Sequence, residues 1–172
     1  MLFKKTILGT ILGLFLTGCG FSPVYWQDGT DFLEKTAQVS IAPIPEYSGR
    51  ILTQALKDNL NPKNIDAPKN YTLSVKIDEN IDKDQGVLGD KTSTRATFYL
   101  KAFYSLKAGN KELLSSVASA TSSYNILPEP YSTVTAEQAV RERLLKILAN
   151  EISVQITAYF KQEEAQTQKA TP

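Results

Sequence analysis

Ala96-Thr97-Phe98-Tyr99-Leu100-Lys101-Ala102-Phe103-Tyr104-Ser105-Leu106 is the stretch on which the fold turns. Its residues change character at every step. Ala96, Phe98, Leu100, Ala102, Tyr104 and Leu106 form one row; Arg95, Thr97, Tyr99, Lys101 and Phe103 form the other. Side chains of a strand point alternately to its two faces, so this period of two predicts a long strand, about Thr92 to Leu106.

The same alternation recurs on either side. Tyr71, Leu73, Val75 and Ile77 interleave with Thr72, Ser74 and Lys76, which predicts a second strand. Between the two lies an acidic stretch, Asp78 to Asp90, with Gly86 and Gly89, expected to be a loop. After Leu106, Lys107-Ala108-Gly109-Asn110 has the glycine and asparagine of a hairpin turn. A third strand follows from Lys111 to about Tyr124. Its parity is open, because Leu113 and Val117 share one face while Leu114, Ala118 and Ala120 share the other, and a bulge near Ser115-Ser116 would reconcile them.

Helical signals bracket the strands. Ile51, Leu52, Ala55, Leu56 and Leu60 recur at helical spacing from about Arg50, with Ser48 as the expected cap and Asn61-Pro62 as the stop. Thr135-Ala136-Glu137-Gln138 fits a capping box. The helix it opens carries the stripe Ala136, Val140, Leu144, Ile147, Leu148, Ile152, Ile156 and Tyr159, and is expected to end near Phe160. A short strand, Gln38 to Pro43, precedes everything and is ended by Pro43 and Pro45.

The order β-α-β-β-β-α predicts an α+β two-layer sandwich over residues 37–160, with two helices on one face of a four-stranded mixed sheet. The other face, with Thr72, Ser74, Lys76, Arg95, Thr97 and Lys101, is left polar and uncovered. Lys161 to Pro172 is read as a disordered polar tail.

The start of the chain is of another kind. A basic head, Met1 to Lys5, leads into the uncharged apolar run Thr6 to Phe15 and then Leu16-Thr17-Gly18-Cys19. The run is shorter than the ~20 apolar residues that span a bilayer, so it reads as an export signal. Leu-Thr-Gly-Cys resembles a bacterial lipobox, with residues 1–18 removed and Cys19 lipidated. Cys19 is the single cysteine, and several acyl chains on one sulfur anchor firmly, at ~0.8 kcal/mol per buried methylene. Gly20 in place of aspartate favours the outer membrane under the sorting rules that the lipobox resemblance brings with it. Residues 19–36, with Phe21, Tyr25 and Trp26, read as a lipidated tether.

Composition narrows the function. The formal charge falls from +1 to −1 once Lys4 and Lys5 leave with the signal, which argues against a nucleic-acid partner. The chain has no histidine, so most general-base, triad and zinc chemistry lacks its usual group, and no enzyme, cofactor or metal is expected. Asp78, Asn80 and Asp82 have the spacing of a calcium loop, but Lys83 and Gly89 stand where glycine and glutamate are required. Basic groups remain: Lys91, Arg95 and Lys101 along one strand, and Arg141, Arg143 and Lys146 early in the last helix. They suit an anionic ligand such as a headgroup phosphate, or are ordinary solvated charge.

Leu16-Thr17-Gly18-Cys19-Gly20-Phe21-Ser22-Pro23-Val24-Tyr25 resembles the start of the LPS-assembly lipoprotein LptE family in its alphaproteobacterial form, and the layout of the remaining chain is similar. That resemblance implies a sandwich of two helices on four strands, a plug inside the LptD-type outer-membrane β-barrel, and lipopolysaccharide binding without catalysis. The family's basic residues before the long middle strand and early in the last helix fall near Lys91 and Arg141, with Arg95 beside the first. The implied location is the outer membrane, lipid-anchored, with the domain on the periplasmic side.

Overall fold

A computed structural model describes residues 31–87, 93–126 and 128–170; Cys19 and Lys91 lie outside them. The elements run α1 (Asp31–Ala37), β1 (Val39–Ile41), α2 (Glu46–Leu60), β2 (Tyr71–Val87), β3 (Ser93–Ala108), β4 (Lys111–Asn125) and α3 (Pro130–Ala170). The four strands form one sheet in the order β1-β2-β3-β4. β1 is parallel to β2, and the other pairings are antiparallel, which makes the expected mixed sheet.

β3 is buried along the row its sequence marked: Ala96, Phe98, Leu100, Ala102, Tyr104 and Leu106 are all almost fully inaccessible. Leu52 and Leu56 of α2 and Leu144, Leu145, Leu148, Ile152, Ile156 and Phe160 of α3 pack over that face. Each such chain stabilises by roughly 1.5–3 kcal/mol relative to exposure. Ile147 was expected in the stripe but is 48% exposed, and Leu145 and Ala149 are buried instead. The helix lies between α2 and β4, so its contact surface is wider than one narrow stripe.

Several expected boundaries move. β2 continues to Val87 through the acidic stretch expected as a loop, because Ile77 and Ile81 keep the core-facing period and β3 supplies the hydrogen bonds. In β4, the pairing shifts between Leu106/Leu114 and Lys107/Glu112, which leaves Leu113 as the extra residue. The bulge therefore precedes Ser115-Ser116, and Ala118, Ala120 and Tyr124 face the core.

The capping box is not used. α3 opens at Pro130, where a missing N–H is harmless, and Thr135 Oγ1 donates to Tyr131 O inside the helix. Ser48 likewise caps nothing: Pro45 precedes α2, and Ser48 is buried within it. Close by, Gly49 lets the helix approach Ile44, since a Cβ there would meet the Ile44 carbonyl oxygen at 2.4 Å.

The ends are more ordered than the composition suggests. α3 runs to Ala170, through most of the segment read as a disordered tail. α1 occupies the end of the segment read as a tether, and Lys35 on it bridges to Glu164 at 2.9 Å. Phe160 closes the same corner, its ring 4.9 Å from that of Tyr71. Seven residues are too few to show a helical period, so α1 carried no sequence signal.

Candidate functional site

The sheet face away from the helices is uncovered by any described element. Its β4 row is Ser115, Val117, Ser119, Thr121 and Ser123, its β3 row Arg95, Thr97, Tyr99, Lys101, Phe103 and Ser105. These small hydroxyl chains follow from the alternation, and they leave the surface flat. Two apolar chains interrupt it. Phe103 and Val117 are directly paired across β3 and β4, and each is 46% exposed. An open groove of about 530 Å³ surrounds them, lined also by Ser74, Lys76 and Glu112. A smaller hollow of about 260 Å³ lies along the same face between Asp78, Asn80, Tyr99 and Lys101.

The calcium-spaced residues Asp78, Asn80 and Asp82 sit at alternate positions of β2 instead of on a loop. An extended strand separates them by roughly 6.6 Å per step and cannot wrap them around one ion. Among the described residues no group of three or more acidic, Cys or His side chains could hold a metal.

Sequence reasoning set Arg95 and Arg141 beside Lys91 as a ligand site. Arg95 is exposed on the open face, its backbone paired with Gln85 and Asn125. Arg141 is on the helix layer, on the other side of the sheet, so the structure does not bring the two together. Its guanidinium donates to Glu137 Oε1 at 2.9 Å and Glu79 Oε2 at 3.3 Å, and lies 5.0 Å over the Phe98 ring. Tyr124 Oη donates to the other oxygen of Glu137 at 3.1 Å. Burial first, and then the bond to Glu137, push the Tyr124 phenol up to about 12.

Tyr124, Glu137, Arg141 and Glu79 thus tie together the end of β4, the start of α3 and the middle of β2. Two carboxylates already face the single guanidinium, so Arg141 holds the frame and is not an open anion site. The capping box, Thr135 with Gln138, left Glu137 as ordinary surface charge among the arginines and lysines of the helix. The four-residue spacing of Glu137 and Arg141 on a helix was the signal that could have found it. Further along α3, Arg143 donates to Ser122 of β4, and Lys146 lines a shallow surface hollow of about 500 Å³ with Ile147 and Asn150.

No family model matches the chain, and no curated protein matches it significantly. Solved structures do. A candidate lipoprotein from Caulobacter crescentus superposes with TM-score 0.62 at 17% identity, over 77% of this chain and 97% of that one. A minor lipoprotein from Acinetobacter baumannii gives 0.53 at 18%, over 70% and 91%. An uncharacterized lipoprotein B from Nitrosomonas europaea gives 0.54 at 13%, over 72% and 82%. The chain shares their fold. None of its described helices is long and apolar enough to cross a membrane.

Proposed function

We propose that this chain is a non-enzymatic outer-membrane assembly factor of the LptE type. Cys19 carries the lipid anchor, and the sandwich on the periplasmic side docks in an LptD-type β-barrel. It binds lipopolysaccharide and assists its placement in the outer leaflet. One observation carries the reading: a chain with a lipobox-like Leu16–Cys19 presents a sheet face, lined mostly by hydroxyl and charged side chains, that no described element covers. The lumen of a large barrel is polar, and such a face suits it. The fold neighbours described as lipoproteins support an anchored role.

The interior favours a plug over a carrier. A substrate-binding lipoprotein without a barrel partner needs an apolar pocket between its layers. Here Leu52, Leu56, Leu100, Leu144, Leu148 and Ile152 fill the centre of that space with no exposed surface to speak of, and the groove left at its β2 flank is open and edged by Glu46, Ser48 and Glu79. For lipopolysaccharide phosphates, the exposed Arg95 and the neighbouring Lys91 supply charge, while Arg141 is spent on Glu79 and Glu137. Purification of the lipidated chain from native membranes tests the reading. A large β-barrel protein is expected to accompany it, and recovery of the lipoprotein alone contradicts it.

A further inference from the structure

β2 is 17 residues long, but β1 covers only Tyr71, Thr72 and Leu73 of it. The last rung is Ala42 N–H donating to Leu73 O at 2.8 Å. Pro43 then has no N–H to offer, Pro45 follows, and Glu46 takes a left-handed backbone, φ 69°, that swings the chain into α2. Tyr71 N–H donates to Gln38 O, so the odd-numbered residues of β2 direct their backbone groups toward the β1 side. By the two-residue period, the N–H and C=O of Val75, Ile77, Glu79 and Ile81 point the same way. Among the described residues no strand meets them there.

A groove of about 580 Å³ runs beside this bare edge. Ile44, Pro45, Glu46 and Ser48 form its far wall, and Val75 to Glu79 its near wall. Val75 and Ile77 are only half-buried and belong to the core-facing row, so the groove floor is the open flank of the core. Backbone donors and acceptors at two-residue spacing over an apolar floor are the recognition chemistry of one kind of ligand, an extended polypeptide. We propose that β2 from Val75 to Ile81 receives a strand from the barrel partner. The incoming strand sets alternate apolar side chains on Ile44, Val75 and Ile77, and a basic one toward Glu46. A second copy of this chain fits poorly, because β2 against β2 would oppose Asp78, Glu79 and Asp82 to their own counterparts.

The identity of the donor rests on the barrel-partner reading; the edge itself does not. Amide hydrogen exchange of Val75, Ile77, Glu79 and Ile81 is compared in the full lipidated chain alone and in complex with the co-purified barrel. Exchange is expected to slow at least about tenfold in the complex. Ile77→Pro removes an N–H that takes no part in the β3 ladder, so it should melt near Ile77→Ala, which loses the same core contact, while barrel recovery falls about tenfold. Ile77→Ala keeps the N–H and loses only the side-chain contact, so recovery should fall clearly less than in Ile77→Pro; equal losses would overturn the backbone pairing. Should Ile77→Pro unfold, the exchange comparison on the unsubstituted chain still decides. A barrel that co-purifies without slowing these amides overturns the strand proposal and leaves the barrel reading intact. Recovery with no barrel overturns that reading and the proposed donor together. Protection already present in the chain alone overturns the proposal too, by a second copy if it grows with concentration and by the chain's own residues if it does not.

Discussion

Phe98 and Phe103 lie on one strand, five residues apart, and face opposite ways. Phe98 is fully buried under α3 with the Arg141 guanidinium over its ring; Phe103 is 46% exposed beside Val117. The same residue type serves stability on one face and stands half-exposed on the other. The difference shows what the sheet divides: the helix side is satisfied from within, while the open side keeps hydroxyls, an aromatic and Arg95 turned outward.

The widest gap between the two faces should appear on truncation. Phe98→Ala is expected to cost about 3–5 kcal/mol in urea unfolding, from lost burial and the cavity left behind. Phe103→Ala should cost less than about 1 kcal/mol, the scale of one cross-strand pair. Equal costs would break the comparison.

The two arginines offer a smaller contrast. Arg141→Ala leaves Glu79 and Glu137 half-buried without their cation, and should cost about 1–3 kcal/mol, toward the lower end because the pair is partly solvated. Arg95→Ala, on the exposed face, should stay within about 0.5 kcal/mol. In a lipopolysaccharide pull-down the order reverses: Lys91→Glu with Arg95→Glu should weaken capture while the melting temperature holds. Unchanged capture would leave both as solvated charge.

The helix side also carries a pH signature. Tyr124 is held protonated to about 12 in the fold, against 10 for the unfolded side chain. The folded state binds that proton more tightly, so its contribution is full below pH 10 and is lost as pH rises from about 10 to 12. Melting temperatures across that window should fall less steeply in Tyr124→Phe than in the parent chain. Identical slopes would remove Tyr124 from the account.

Much of the architecture could be read from alternation, because one face of β3 is buried over its whole length and the period of two survives in the sequence. Charge misled where pairing outweighed propensity, as at Asp78 to Val87, whose hydrogen bonds come from β3. Local patterns misled at the helix ends. Thr135 and Gln138 looked like a cap, but the helix opens earlier, at Pro130, and Glu137 between them serves Tyr124 and Arg141, contacts set by tertiary placement. α1 and the C-terminal turns of α3 are held by Lys35 with Glu164 and by Phe160 on Tyr71, long-range contacts that no local period encodes. The polar face that no described element covers was foreseen. The bare stretch of β2 was not, since it depends on where Pro43 and Pro45 turn the chain away.

The double variant Phe103→Lys, Val117→Glu, whose opposite charges face each other across the strand pair, bears most directly on the open face as the docking surface. Made in the full lipidated chain and recovered from native membranes, it should melt within a few degrees of the parent and come out without the large β-barrel protein that accompanies the unsubstituted chain. A variant that still brings the barrel in full amount would contradict the account.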